Sequence, residues 1–119
     1  RKYNNGGSIV VVSALNVHYP QKCMTIYSAS KAAIESTVRT LSIELADMNI
    51  RINSVIPGAV MTSMAETVDR ETLEQIVSKQ LLGAQQPEEV ANMIAFLSSD
   101  KSSAITGRNV YVDGGMLGQ

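Results

Sequence analysis

The chain has 119 residues, with ten Lys and Arg against eleven Asp and Glu, one His and one Cys. That length holds at most one small domain, and the 45% apolar share is that of a globular chain, not a disordered one. The net charge of -1 lacks the positive excess of a nucleic-acid surface, a single Cys precludes an internal disulfide, and one Cys with one His argues against a metal cluster.

No apolar run approaches the roughly 18 residues that a membrane span needs. No apolar stretch after the opening RKYNNGGS reads as a signal peptide, so a cytoplasmic protein without a membrane partner is expected. After the Gly6-Gly7 turn signal, residues 9–12 form an unbroken apolar run, which predicts a strand buried on both faces of a parallel sheet. A loop over about residues 16–24 carries His18, expected to be solvent-exposed and to border a pocket, and Cys23, expected to be a small buried residue. Residues 26–47 read as a helix whose apolar stripe is Ile34, Val38, Leu41 and Leu45. Glu35 and Arg39 stand four apart and are expected to pair on its exposed face. Residues 50–56 read as a second buried strand, stopped by Pro57-Gly58. A loop with Met61 and Met64 leads into a helix expected over 65–81. Pro87 suits the first position of another helix, with Glu88 and Glu89 in the turn that the helix dipole favours for negative charge. Residues 109–112 form a third strand, closed by the turn Asp113-Gly114-Gly115. The alternation predicts an α/β sheet of about three parallel strands with helices on both faces. So thin a sheet is expected to be one half of a larger doubly wound domain, with residues 1–119 as a single partial domain.

The strongest constellation for chemistry is Tyr27-Ser28-Ala29-Ser30-Lys31 near a helix start. Positions i and i+4 share a helix face, so an ammonium would sit beside a phenol. A nearby ammonium stabilises a phenolate and lowers a tyrosine pKa from about 10 toward neutrality, making it a proton donor or acceptor at a carbonyl or alcohol oxygen. The spacing alone is weak; its order among "GSIVVVSA", "YSASKAAI", "IRINSVIPGAVMT", "QPEEVANMIAFLSSD" and "ITGRNVYVDGG" is far more specific.

Together these segments, covering essentially the whole chain, resemble the C-terminal half of the short-chain dehydrogenase/reductase family, most closely its 3-oxoacyl-thioester reductases. The resemblance implies a Rossmann-type fold and an NAD(P)-dependent oxidoreductase that reduces carbonyls or oxidises alcohols. Tyr27 would be the general acid/base, and Lys31 would lower its pKa and hydrogen-bond the nicotinamide ribose. Pro57 and Gly58, with Val60 close by, would shape the wall beside the nicotinamide, Thr62 would contact its carboxamide or a cofactor phosphate, and Ala14, His18 and Met64 would border a small-molecule substrate. NAD and NADP both remain open. Subunit contacts through the long Tyr-Lys helix and the last helix-strand unit would make a homo-oligomer, a dimer or tetramer.

Two departures qualify what the resemblance implies. The family's catalytic serine lies thirteen residues before the tyrosine, and that position is Ala14, with Ser13 beside it. Adjacent residues of an extended chain point opposite ways, so Ser13 would substitute only if a bulge shifted the register. No Gly-rich phosphate loop occurs in the chain either, so these 119 residues by themselves are expected to bind dinucleotide poorly and to be inactive. The alternative function is a non-catalytic remnant that only folds and associates. An epimerase-like isomerase using the same Tyr-Lys spacing ranks below these, and a serine hydrolase lower still, since Val-Val-Ser-Ala-Leu lacks the glycines of a nucleophile elbow.

Overall fold

A computed structural model describes residues 6–63 and 65–117. Among these, β1 (Gly7–Val12), β2 (Ile50–Pro57) and β3 (Asn109–Val112) make one parallel sheet in the order β1-β2-β3. Three helices accompany it: α1 (Thr25–Glu44), α2 (Arg70–Val77) and α3 (Pro87–Ser98).

Side-chain alternation decides where α1 and α3 lie. Ser8 on β1 and its partner Arg51 on β2 both reach Leu97 O at the end of α3, so their face of the sheet carries α3. Ser13, of opposite parity to Ser8, donates to Glu35 of α1, so the other face carries α1. The sheet is therefore covered on both sides, as expected. Its core is the central strand: Ile52, Val55 and Ile56 of β2, Val38 of α1 and Leu97 of α3 are each 0 to 3% exposed.

The buried polar groups of β2 are matched as burial requires. Asn53 Nδ2 donates to Ile105 O, and its Oδ1 accepts from Arg108 N. Ser54 Oγ donates to Asn109 Oδ1. The Arg51 guanidinium donates to Leu97 O, Ser99 O and Ile105 O, placing a cation on orphan carbonyls at the C-terminal end of α3.

Four local expectations are corrected. β1 is not buried on both faces: Ile9 and Val12 are 41% and 42% exposed, because β1 is the edge strand among the described residues. The helix expected over 65–81 is broken into a 3₁₀ turn, Ala65–Thr67, and α2. Asp69 makes the break, because its carboxylate accepts from Thr72 N at 2.8 Å and restarts the helix. The helix expected to reach residue 47 ends at Glu44, with a 3₁₀ turn over Ala46–Met48 and Asn49 in the left-handed region at φ 54°. Cys23 is exposed, not buried, in a left-handed turn at φ 64° before α1. Pro87 does open α3, with Glu89 Oε2 accepting from Gln86 N at 2.7 Å. No helix among the described residues is long and apolar enough to cross a membrane.

Candidate functional site

The C-terminal ends of β1 and β2 open onto a cavity of about 720 Å3. This is the edge where parallel sheets generally hold their ligands, because the loops that follow the strands gather there. The first turns of α1 form one wall and supply Tyr27 and Lys31; the ends of β1 and β2 supply Ala14, Pro57 and Gly58. Val60 and Thr62 continue from β2 into the opposite wall, which Val68 and, from α2, Leu73 and Ile76 complete. The lining is mostly apolar, and Lys31 is its only cation among the described residues.

Tyr27 and Lys31 stand one helical turn apart, as their spacing predicts. The Lys31 ammonium lies 5.8 Å from the Tyr27 ring centroid and donates to Val12 O at 2.9 Å. Tyr27 is 41% exposed, so its ring is open to an incoming molecule.

The sequence-derived substrate residues divide. Ala14 is buried in the cavity wall with an extended backbone, φ -151° and ψ 146°. Ser13 is 2% exposed, its N–H continues the ladder to Val55 O, and its Oγ donates to Glu35 Oε1 at 2.6 Å. The Ser13 side chain thus turns beneath α1, as strand alternation requires of a residue beside Ala14. His18 is not in the cavity wall: its Nε2 lies 2.8 Å from Glu35 Oε2 and 3.2 Å from the Tyr111 hydroxyl. Met64 lies outside the described residues.

Glu35 corrects a further expectation. It does not pair with Arg39 on the exposed face; it is 4% exposed and joins Ser13 to His18. The helix period contains the reason. At about 100° per residue, Glu35 lies about 60° from Val38, the nearest member of the apolar stripe and its edge, and Tyr27, Lys31 and Glu35 climb one face in steps of four. That stripe was the signal available in the sequence. Tyr111, also absent from the sequence-derived site, closes the cluster from β3 with its ring edge-on to His18 at 5.3 Å. Burial, and then the Glu35 and Asp113 carboxylates, hold the Tyr111 phenol above its ordinary pKa.

Gln80 and Gln85, equally unforeseen, are buried at the foot of the opposite wall. Gln80 Oε1 accepts from Ala59 N at 2.6 Å, and the amide nitrogens of both glutamines donate to Gly83 O at 2.8 Å. Backbone bonds from Gln85 N to Ala59 O and from Met61 N to Gln85 O, each 2.9 Å, close the same neck. Gly58 fits there because a Cβ would run into both glutamine side chains and the Asp113 backbone. The Asp113 turn is structural: its carboxylate accepts from Gly115 N and Leu117 N, and Gly114 and Gly115 take positive φ values of 60° and 82°.

A family model described as enoyl-(acyl carrier protein) reductase matches residues 1–117. The 3-oxoacyl-(acyl-carrier-protein) reductase FabG of Thermotoga maritima is 43% identical over 112 residues, covering 93% of this chain and 46% of that protein. Dehydrogenase/reductase SDR family member 4 of Bos taurus is 36% identical over 115 residues, covering 94% and 41%. Among solved structures, 7α-hydroxysteroid dehydrogenase in complex with NADH and 7-oxo glycochenodeoxycholic acid superposes with a TM-score of 0.88 at 31% identity, over 94% of this chain and 45% of that one. A protein described as a putative betaketoacyl-ACP reductase gives 0.79 at 35% identity, over 93% and 47%. The chain belongs to the short-chain dehydrogenase/reductase family, and its three-stranded sheet is the corresponding part of a Rossmann-type fold. It spans about half the length of the curated relatives it matches.

Proposed function

We propose that this chain carries the proton-handling part of an NAD(P)-dependent oxidoreductase that interconverts a carbonyl and an alcohol. The observation that carries the reading is the Tyr27–Lys31 pair on one face of α1, in the wall of the same cavity as Pro57-Gly58.

The residues present fit the nicotinamide end of a dinucleotide. Lys31 offers an ammonium to ribose hydroxyls, and Pro57 and Val60 offer apolar surface to a flat ring. When bound, the nicotinamide supplies the hydride for reduction and takes it up in oxidation. Tyr27 holds a proton at the substrate oxygen: its hydroxyl protonates the oxygen as the carbonyl π bond breaks, and in the reverse direction its phenolate takes that proton back. The Lys31 ammonium stabilises the phenolate. The apolar side chains of Val60, Val68, Leu73 and Ile76 keep water from the reacting carbon and suit a substrate with a substantial hydrocarbon part. Such a substrate agrees with the names of the relatives, one a 3-oxoacyl-(acyl-carrier-protein) reductase and one a hydroxysteroid dehydrogenase. The reading covers NAD and NADP alike. The same reading includes association with a second copy through α1.

The test is Tyr27→Phe in the full chain, assayed for NADH- and NADPH-dependent reduction of a 3-oxoacyl thioester and of bulky ketones. Turnover should vanish while the circular dichroism stays unchanged; undiminished turnover refutes the assignment. Ala14 favours a second reading, a non-catalytic member, because the Ser13 hydroxyl is engaged with Glu35 and Ala14 offers none. Absence of nicotinamide-dependent turnover in the unmodified protein across that panel would establish the second reading.

A further inference from the structure

We propose that Glu35 is a positioning residue that fixes the direction of the Lys31 ammonium by way of Ser13; this rests on the reading of Tyr27 and Lys31 as the reacting pair. The link runs through one peptide unit. Lys31 Nζ donates to Val12 O at 2.9 Å, and that carbonyl belongs to the Val12–Ser13 peptide. The N–H of the same unit donates to Val55 O at 2.9 Å. The remaining hold on it is the Ser13 side chain, whose Oγ donates to Glu35 Oε1 at 2.6 Å, with Lys31 O more distant at 3.3 Å. An ammonium has three N–H bonds and swivels freely on a flexible stem. Anchoring one of them on a fixed carbonyl aims the other two toward the cavity.

Glu35 is itself held from two further elements. Its Oε2 meets His18 Nε2 from the β1–α1 loop, and Tyr111 of β3 meets the same nitrogen. Burying a carboxylate costs free energy that an apolar side chain at this position would not incur. What a carboxylate does here that an apolar side chain cannot is accept from Ser13 and His18 at once, tying the end of β1 and its loop to the helix that carries Tyr27 and Lys31. Glutamine preserves both links, since its oxygen accepts from Ser13 and its amide donates to an unprotonated imidazole nitrogen. Methionine fills the space and preserves neither.

Glu35→Met and Glu35→Gln in the full chain separate packing from positioning. With NADPH and acetoacetyl-CoA as probes, Glu35→Met should lower kcat by on the order of 10²-fold, as a displaced reacting group does, while KM shifts only a few-fold. Glu35→Gln should restore most of kcat. Amide hydrogen exchange reads the same link without turnover: exchange at Ser13 and Ala14 should accelerate in Glu35→Met, not in Glu35→Gln, with α1 unchanged in both. Parent-like kcat and exchange in Glu35→Met overturns the proposal, as does a Glu35→Gln variant as impaired as Glu35→Met, or a loss confined to KM. Absence of turnover in the unmodified protein sinks the reading of the reacting pair instead. Exchange then decides the Glu35 link alone: acceleration in Glu35→Met supports it, and parent-like exchange overturns it.

Discussion

Gly58→Ala adds one methyl group between the end of β2 and the buried glutamines behind the cavity. The new Cβ would clash with Gln80 Oε1, lie 2.8 Å from Gln85 Oε1 and lie 2.9 Å from the Asp113 Cα. The glutamine side chains can move, but Gln80 Oε1 is the acceptor for Ala59 N, so moving it leaves a part-buried N–H without its partner. The Asp113 backbone cannot move without displacing the end of β3, which is fixed by Gly58 N donating to Val112 O. Overpacking of this kind costs about 1–3 kcal/mol, and the lost hydrogen bond adds about 1 kcal/mol. Against these stands about 0.4–1 kcal/mol of stabilisation from a less flexible unfolded chain. The net expectation is destabilisation by about 1–3 kcal/mol, read as a lower urea midpoint at unchanged slope. The clash is with Gln80 in particular, so adding Gln80→Ala should recover part of the loss, and the two substitutions should be less than additive. A Gly58→Ala protein as stable as its parent would refute the packing argument, and strict additivity would refute the role given to Gln80.

Two other substitutions probe different parts of the site. Because its folded pKa stands above the ordinary value of 10, Tyr111 contributes stability that is complete below pH 10 and is lost as the pH rises through the folded value. Tyr111→Phe should therefore lose less stability than its parent between neutral and strongly alkaline solution, and parallel urea-midpoint profiles for the two would contradict the burial argument. Ala14→Ser puts a hydroxyl into the cavity wall, facing away from the side on which Ser13 meets Glu35. It should raise kcat for ketone reduction, by up to about 10²-fold if the hydroxyl stabilises the developing oxyanion; an unchanged kcat would mean that this wall takes no part in orienting the substrate.

The fold was legible because its signals are local and redundant. The strand expected over residues 50–56 and the Pro57-Gly58 stop lie where a parallel α/β sheet needs them, and Pro87 opens α3 as its position promised. What escaped was decided by single side chains acting on the backbone. Nothing in the composition of residues 65–81 distinguishes Asp69 as a cap from Asp69 as a surface carboxylate, yet its bond to Thr72 N divides the helix. The burial of β1 depends on what lies beside it, which hydrophobicity along one strand cannot report.

The site was legible in the same uneven way. Residues that act through sequence spacing, Tyr27 and Lys31 above all, line the cavity together because a helix converts a separation of four into one face. Residues that act by contact between distant segments were invisible. His18 and Tyr111 are 93 positions apart, and Gln80 reaches back 21 positions to Ala59. Glu35 lies between these cases. Its charge suggested solvent, while its place four residues beyond Lys31 put it at the border of the buried face, and the two signals conflict. Periodicity prevailed because partners were available: a carboxylate that accepts from both Ser13 and His18 recovers inside the protein the hydrogen bonds it gives up in water. A charged residue on the flank of an apolar stripe is therefore better read by asking which neighbouring segment can donate to it than by its hydropathy.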